Sequence, residues 1–312
     1  MKVNWNGVFP AVTTKFYEDG ALDLNTFKKN ILAQIDGGIH GVILGGSLGE
    51  ASTLQSSEKL ELVNTTLELT KGRIPVIMNI AESSTHNAIK EAEDAQRNGA
   101  SGLMMLPPMQ YKADDRETVE FYKAVATSTD LPIMMYNNPV DYGIEITLDM
   151  IDELIEYDTI QAIKDSTRDT SNITRIINRF GDRISVFSGV DTIAFESLVL
   201  GASGWVAGLV CAFPRETVAI YNLIKAGQIE NALKIQRWFL PLQELDINPK
   251  LVQNIKLAEV ATGIGTEFVR EPRLQLAGEE REHVENIIRS SLASRSEIED
   301  LVNGTLELTN HK

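Results

Sequence analysis

The sequence predicts a (β/α)8 barrel, also called a TIM barrel, with a C-terminal helical appendage, and three observations support this fold. Eight short apolar runs alternate with longer amphipathic segments, a pattern typical of parallel strands joined by helical crossovers. Each unit takes about 25–30 residues, so eight units fill about 210 residues, which favours a closed barrel over an open doubly wound sheet. The strand pattern stops after residue 214. We therefore expect a catalytic barrel domain over residues 1–214 and a helical domain over residues 215–312.

The predicted strands begin and end at residues that commonly bound strands. Pro75 and Pro132 open two of them, where the missing N–H costs little. Gly99 and Gly201 follow predicted helices, where a left-handed cap is favoured. The eight predicted strands cover residues 7–14, 41–45, 75–80, 102–106, 132–136, 159–164, 184–188 and 204–208.

The segments between and after the strands have apolar residues at helical spacing. Pro241 predicts that the second helix of the appendage ends at residue 240, with a kinked continuation as the alternative. No low-complexity linker precedes the appendage, so we expect it to pack on the barrel. Residues 294–312 form either a further helix or a frayed tail. The predicted helices include residues 26–37, 56–71, 85–98 and 116–128 in the barrel, and cover 216–226, 229–240, 250–262 and 279–293 in the appendage.

Charge and composition narrow the possible classes of function. The net charge is −15 at pH 7 and no basic face is visible, so we expect no nucleic-acid partner. Cys211 is the only cysteine, which excludes an internal disulfide and fits a reducing compartment. No apolar run is long enough to span a membrane, and residues 1–15 lack the apolar stretch of a signal peptide. These features predict a cytoplasmic protein that does not contact a membrane.

Common metal and cofactor motifs are missing from the sequence. The four histidines are scattered, and no H-E-x-x-H motif or Cys/His cluster occurs, so we expect no metal site of that kind. A carboxylate-only magnesium site stays open. Neither a G-x-S-x-G elbow nor a G-x-G-x-x-G dinucleotide motif is present. We expect no cofactor.

Two residues at neighbouring strand ends suggest covalent chemistry, because active sites of such barrels lie at the C-terminal ends of the strands. Strand alternation places Ile160, Ala162 and Lys164 on one face. If that face lines the barrel, Lys164 loses solvation, which lowers the pKa of its amine and frees it to attack a carbonyl. Tyr136 ends the preceding strand and could relay protons beside that amine. The alternatives are a lysine that reaches solvent and an aromatic residue that only fills the core.

A glycine-rich turn follows the second predicted strand. Gly46, Ser47 and Leu48 expose backbone N–H groups, and Ser47 adds a hydroxyl, a combination that suits a carboxylate. Because the protein is acidic, local donors of this kind are needed to capture an anionic substrate. As an isolated signal, such a turn is more often only a turn.

Together these residues resemble the dihydrodipicolinate synthase/N-acetylneuraminate lyase family over nearly the whole chain. Several motifs in one order, at the spacing of βα units, make the resemblance specific. The matching segments are residues 46–50 (G-S-L-G-E against the family's G-[ST]-T-G-E), 136–139 (Y-N-N-P against Y-N-x-P), 163–166 (I-K-D-S against I-K-[ED]-[SA]), 188–191 (S-G-V-D against S-G-x-D) and 204–207 in the eighth strand.

The resemblance implies a role for each matching residue. Lys164 forms an imine with C2 of a 2-oxo acid or a cyclic imino acid, and Tyr136 relays protons. Ser47 and the Leu48 amide, in the turn that Gly46 opens, hold the C1 carboxylate, and the Val206 carbonyl lies near the reacting centre. The resemblance also implies a homotetramer.

Three departures from the family pattern bear on the substrate. Dihydrodipicolinate synthases have an arginine after Y-N-x-P that binds the carboxylate of the aldehyde substrate, whereas this chain has Asp141, which repels that group. Leu48 replaces a threonine and removes a hydroxyl from the proton relay. The tyrosine that a partner subunit supplies in the family aligns with Met109, and Tyr111 is a possible substitute. These departures count against a synthase and against a sialic-acid lyase.

One branch of the family resembles the chain most. Residues 7–14, 136–139 with 142–143, 204–217 and 250–259 resemble the deaminases of hydroxyproline degradation, which convert 1-pyrroline-4-hydroxy-2-carboxylate to 2-oxoglutarate semialdehyde and ammonia. In this interpretation Asn138, Ser166 or Asn137 orients the C4 hydroxyl. The alternatives are a 2-oxo-3-deoxy sugar-acid dehydratase or aldolase, or a synthase-like lyase, with the same lysine, and a non-catalytic barrel that binds a small acid.

Overall fold

The computed structural model describes residues 3–108 and 111–309, except the side chains of residues 306–309. Eight parallel strands alternate with helices in a TIM barrel, and further helices follow at the C-terminus, as the sequence predicts. The strands are β1 (Gly7–Pro10), β2 (Val42–Leu44), β3 (Val76–Ile80), β4 (Gly102–Met105), β5 (Ile133–Asn137), β6 (Ile160–Asp165), β7 (Ser185–Ser188) and β8 (Gly204–Ala207).

The strands follow the order β1-β8-β7-β6-β5-β4-β3-β2, so each strand lies beside its neighbours in sequence and β8 returns to β1. The seam between β1 and β2 is closed by a parallel bridge between Ala11 and Ile43. The Val12 N–H donates to the Ile43 carbonyl across it at 2.9 Å. All eight C-terminal strand ends therefore open at one mouth, where a barrel of this type holds its active site.

Helices surround the strands and continue beyond them. Among the described residues, no helix is long and apolar enough to cross a membrane. The helices are α1 (Leu24–Asp36), α2 (Ser56–Thr70), α3 (Thr85–Arg97), α4 (Asp115–Ala126), α5 (Pro139–Tyr142), α6 (Leu148–Leu154), α7 (Ser171–Phe180), α8 (Ala194–Val199), α9 (Pro214–Lys225), α10 (Ile229–Gln243), α11 (Leu251–Ala261), α12 (Gly278–Ala293) and α13 (Glu299–Thr309).

Helix α9 connects the barrel to the remaining helices. It packs against α1, α8, β1 and β8, and so takes the place of the eighth helix in the outer ring. It also packs against α10 and α13. The predicted domain boundary after residue 214 stays a proposal. It assigns α9, the eighth helix of the outer ring, to the C-terminal domain.

Three local features differ from the prediction. Strand β1 ends at Pro10, and the next residues pair across the seam before the Thr14 hydroxyl donates to the Gly49 carbonyl at 2.6 Å. Helix α10 continues through Pro241 to Gln243, so its predicted end at residue 240 is wrong. A register shift between β5 and β6 breaks the alternation, so Ile160 packs in the outer core while Ala162 faces inward.

The core has two layers separated by the barrel wall. The inner layer contains a side chain from every strand, and the Phe9 and Phe187 rings meet edge to face, with centroids 5.3 Å apart. Such a pair contributes about 0.5–1.5 kcal/mol beyond burial of its area. The outer layer lies between the strands and the helices. The inner layer reaches up to Tyr136 and Val206, so apolar packing supports the floor of the site.

A buried network of charges ties α11 to the barrel mouth. The Lys256 Nζ donates to the Glu50 Oε1 at 2.5 Å, and the Lys15 Nζ donates to the Glu259 Oε1 at 3.1 Å, with all four side chains fully buried. The Glu50 Oε2 also accepts the Arg270 N–H at 3.0 Å. Because Glu50 ends the glycine-rich turn, these bonds fix that turn to the C-terminal helices.

Candidate active site

The C-terminal ends of the strands enclose a cavity of about 550 Å³. Its wall is completed by the connection between α10 and α11, from which Asp246, Ile247, Asn248 and Pro249 reach the cavity. Eight residues that the sequence singles out for a role lie in the lining, and these residues are Gly46, Ser47, Leu48, Tyr136, Asn138, Lys164, Ser166 and Val206. The structure therefore brings together residues from four of the eight βα units, those of β2, β5, β6 and β8.

Lys164 and Tyr136 face one another on paired strands. They are partners in the β5–β6 register, and the Lys164 Nζ lies 3.8 Å from the centre of the Tyr136 ring. Lys164 is 7% exposed. Burial lowers the pKa of its amine below the ordinary value of 10.5, although nearby anionic groups oppose this. The environment thus favours the neutral amine, which is the nucleophilic form.

The Tyr136 phenol is oriented by Asn138. The Asn138 Nδ2 donates to the Tyr136 hydroxyl at 3.1 Å and to the Asp141 Oδ2 at 2.7 Å. The Asn138 Oδ1 accepts the Asp141 N–H at 3.2 Å. Burial raises the pKa of Tyr136 to about 12, so its hydroxyl keeps its proton at neutral pH. The hydrogen-bonding groups of Asn138 are thus used to orient Tyr136 and Asp141. Because the Tyr136 hydroxyl is already protonated, it can accept a proton only while it donates its own to another group.

Tyr142 is a site residue to which the sequence analysis assigned no role. The Tyr142 hydroxyl and the Ser47 Oγ are 2.5 Å apart, and the Tyr142 ring meets the Tyr136 ring edge to face at 5.8 Å. Burial raises the pKa of Tyr142 to about 12. Tyr111 is 54% exposed and is not part of the cavity lining, and Met109 lies outside the described residues. A second phenol therefore comes from the same chain, through the short helix α5.

The glycine-rich turn presents free donors to the cavity. Its own turn bonds run from the Glu50 N–H to the Ser47 carbonyl and from the Ala51 N–H to the Gly46 carbonyl. Within the described part of the chain, the N–H groups of Ser47 and Leu48 donate to no protein acceptor. Free N–H groups beside a hydroxyl form a suitable cradle for a carboxylate.

Ser166 and Asn137 differ in how far their polar atoms are already used. The Ser166 Oγ is buried and has no hydrogen-bond partner among the described residues. In contrast, the Asn137 Nδ2 donates to the Asp165 Oδ1 at 3.2 Å, and its Oδ1 accepts the Ile146 N–H at 2.9 Å. Asn137 is fully buried and lies outside the cavity lining. Ser166 is thus the better candidate to contact a substrate hydroxyl.

Carboxyl groups lie around the amine, and one comes from outside the barrel strands. Asp141 lines the cavity where the family resemblance leads one to expect an arginine. Asp191 lies just behind the lining, and its oxygens accept the Trp205 Nε1–H at 2.9 Å and the Leu209 N–H at 2.8 Å. Asp246 reaches in from the α10–α11 connection. No motif in the sequence signals Asp246, because its position depends on how the C-terminal helices pack.

Comparison with known proteins places these features in context. The family model described as the dihydrodipicolinate synthetase family matches residues 4–291. The 4-hydroxy-tetrahydrodipicolinate synthase of Exiguobacterium sibiricum is 32% identical over 275 residues, which cover 87% of this chain and 92% of that protein. An uncharacterized DapA-like lyase of Rhizobium meliloti is 33% identical over 237 residues, which cover 76% of this chain and 79% of that protein.

Solved structures give the same result at the level of the fold. The 4-hydroxy-tetrahydrodipicolinate synthase of Methylacidiphilum fumariolicum superimposes with a TM-score of 0.90 at 26% identity, covering 95% of this chain and 99% of that chain. A dihydrodipicolinate synthase from Bacillus anthracis has a TM-score of 0.88 at 29% identity, covering 92% of this chain and 99% of that chain. The similarity therefore extends over the barrel and the C-terminal helices.

Proposed function

The chain belongs to the dihydrodipicolinate synthetase family, and we propose that within this family of lyases it is a Schiff-base-forming deaminase. Its substrate is 1-pyrroline-4-hydroxy-2-carboxylate, and its products are 2-oxoglutarate semialdehyde and ammonia. The observation that carries the covalent part of the proposal is the buried Lys164 amine, 3.8 Å from the centre of the Tyr136 ring. The choice of substrate rests on the branch resemblance and on Asp141.

The reaction begins at the lysine. The neutral Lys164 amine adds to C2 of the cyclic imine, the bond from C2 to the ring nitrogen breaks, and that nitrogen leaves as a protonated amine on C5. The chain is then held through C2 as a protonated imine of Lys164, which accepts electrons and makes a C3 proton acidic. Tyr136 relays that proton, because its hydroxyl lies within the cavity and Asn138 fixes its direction.

The remaining steps balance without a cofactor. Loss of the C3 proton pushes electrons toward C4, the C4–O bond breaks, and the hydroxyl leaves as water with one added proton. Protons then move from C5 and its nitrogen to C3 and C4, which converts the C5 amine to an imine. Two waters hydrolyse the imines at C5 and C2, releasing ammonia and the product and restoring the Lys164 amine. One water leaves and two enter, so the net reaction consumes one water.

The glycine-rich turn holds the substrate during these steps. The free N–H groups of Ser47 and Leu48, together with the Ser47 hydroxyl, bind the C1 carboxylate and place C2 within reach of Lys164. The unpaired Ser166 hydroxyl is available to the C4 oxygen. Val206, whose carbonyl the family resemblance assigns to the reacting centre, lines the same cavity. The site therefore needs only one carboxylate on its substrate.

Asp141 supports the deaminase over the synthase activity of the named relatives. A synthase of this family binds a second carboxylate, that of its aldehyde substrate, with an arginine after Y-N-x-P. Asp141 lies at that point of this cavity, and it carries the opposite charge. Like charges repel in a cavity of low dielectric constant, so an aldehyde with a carboxylate is disfavoured.

The same proposal covers the partners and the location of the protein. We propose a homotetramer, following the family resemblance, and a cytoplasmic enzyme, following its single cysteine. The ligand is a small 2-oxo acid or cyclic imino acid that requires no cofactor.

The test is an assay of the purified protein with chemically or enzymatically prepared 1-pyrroline-4-hydroxy-2-carboxylate. Ammonia and 2-oxoglutarate semialdehyde are followed separately, and they should appear in a one-to-one ratio. Pyruvate release from a 2-oxo-3-deoxy sugar acid, without ammonia from the pyrroline, would instead identify the aldolase alternative. Thermal stabilisation by small acids without any turnover would favour a binding protein.

A further inference from the structure

We propose that Asp246 is a further catalytic residue, the acid that protonates the C4 oxygen as it leaves. This inference rests on the proposed deaminase function and adds a group that the family motifs do not contain. The elimination needs two proton transfers at adjacent carbons, one from C3 and one to the C4 oxygen. The Tyr136 phenol beside the amine provides only the first of these.

The position of Asp246 is fixed by close packing against the barrel. It lies in the connection between α10 and α11 and lines the cavity together with Lys164. A Cβ added to Gly208 would lie 2.4 Å from the Asp246 Oδ1, so the carboxyl rests directly on the glycine after β8. The Asp191 backbone also lies beside it. The carboxyl is therefore held at the cavity wall rather than free in solvent.

The two neighbouring carboxyls, Asp191 and Asp246, differ in their hydrogen bonds. Asp191 accepts N–H donors from the Trp205 indole, from Gly208 and from Leu209. These donors stabilise its charged form. Among the described residues the Asp246 carboxyl has no comparable set of donors, and burial together with the Asp191 charge raises the pKa of Asp246 well above the ordinary value of 3.8. When Asp191 and Asp246 share one proton, that proton therefore resides mainly on Asp246.

Other groups in the cavity are less suited to deliver this proton. The Asp141 carboxylate already accepts from Asn138, which holds it beside Tyr136. A pKa of about 12 makes the Tyr136 phenol a weak acid at neutral pH, and the same holds for the Tyr142 phenol. The Ser166 hydroxyl can hold the C4 oxygen but is a poorer acid still. In the proposed step the C4–O bond breaks, the oxygen takes the Asp246 proton and leaves as water, and the Asp246 carboxylate regains a proton from solvent before the next cycle.

The experiment compares Asp246→Asn and Asp246→Glu with wild type, and Glu244→Gln serves as the matched control. Glu244 is an exposed acid on the same connection. We expect Asp246→Asn to lower ammonia release by about 100-fold or more, as loss of a general acid does. Asp246→Glu should recover part of that loss, and Glu244→Gln should stay within about threefold of wild type. The fall of kcat at alkaline pH, where the acid loses its proton, should vanish in Asp246→Asn.

Partial reactions separate this role from a structural one. Borohydride trapping of pyruvate on Lys164, and deuterium exchange into the pyruvate methyl group, need the imine and the C3 proton transfer but no leaving group. Both should stay within about threefold of wild type in Asp246→Asn. If trapping or exchange falls as far as ammonia release, or if ammonia release persists, the proposal is wrong. If wild type itself releases no ammonia from the pyrroline, the proposed function fails instead.

Discussion

Gly189 lies directly against the side chain of Lys164. A Cβ added to Gly189 would lie 2.7 Å from the Lys164 Cε, 2.8 Å from its Cγ and 2.1 Å from the Ser166 Oγ. Carbon atoms in contact normally keep about 3.5–4.0 Å apart. The lysine therefore reaches the cavity only because the residue after β7 has no side chain.

Gly189→Ala should displace the Lys164 amine from its place beside Tyr136. We expect imine formation with pyruvate to fall at least 10-fold, since small misplacements of reacting groups cost large factors in rate. Gly304→Ala is the control, because an added Cβ there meets nothing within 4 Å. Trapping rates and melting temperatures should be measured together. Normal trapping in a folded Gly189→Ala variant would refute this account of the lysine.

Lys164→Ala should abolish both turnover and borohydride trapping with pyruvate, whereas Lys29→Ala, at an exposed position, should change neither. Because burial lowers the pKa of Lys164, the neutral amine becomes available as pH rises through a value below 10.5. The rate of imine formation should therefore level off at a pH below that value. Persistent trapping in Lys164→Ala would show that another amine reacts.

Tyr142→Phe should weaken carboxylate binding, because it removes the phenol that meets the Ser47 Oγ at 2.5 Å. One hydrogen bond of this kind contributes about 0.5–1.5 kcal/mol, so KM should rise about 2- to 13-fold. Tyr111→Phe is the comparison, since Tyr111 is 54% exposed and outside the cavity lining. Steady-state kinetics of both variants decide which phenol acts. A larger loss in Tyr111→Phe would point to a phenol supplied by a partner subunit.

Lys256→Met should destabilise the protein by about 3–5 kcal/mol, because it leaves the fully buried Glu50 carboxylate without its nearest cation, with the Arg273 Nη1 3.9 Å from the Glu50 Oε2 as the remaining one. The double variant with Glu50→Gln should recover part of that loss, since it removes the stranded charge and keeps an acceptor for the Arg270 N–H. Chemical denaturation measures both free energies of unfolding. Equal stabilities of Lys256→Met and wild type would show that the buried pair contributes nothing.

The fold could be predicted because short apolar strand segments alternate regularly with amphipathic helical segments along the sequence, and short motifs mark the strand ends. Lys164, Tyr136 and Ser47 could be predicted for the same reason, since each lies at a strand end that the pattern locates. Asp246 and Tyr142 could not be predicted as site residues. They lie in the segments after α10 and after β5, and the path of these segments is set by packing between distant parts of the chain. Residues of that kind become visible only when the C-terminal helices are in place.

The wrong end of α10 has a physical explanation. Proline in a helix costs about 3 kcal/mol, which favours a stop at the preceding residue. Phe239 and Leu242 flank Pro241 and are fully buried, and each contributes about 1.5–3 kcal/mol by burial. Their packing outweighs the proline, so the helix continues. The alternation of side chains along β6 likewise predicted that Lys164 points into the barrel. It could not predict the register shift against β5 that turns Ile160 outward.

Residues 246–249 form one wall of the cavity, so the C-terminal helices that hold them are part of the active site. A fragment without them would retain the amine and the phenol but leave one flank open, so bulk water would reach the imine before the elimination is over. The connection contributes no strand hydrogen bond. Evolution can therefore reshape it for a new substrate at little risk to the scaffold, which gives such a family a simple route to divergent activities around one nucleophile.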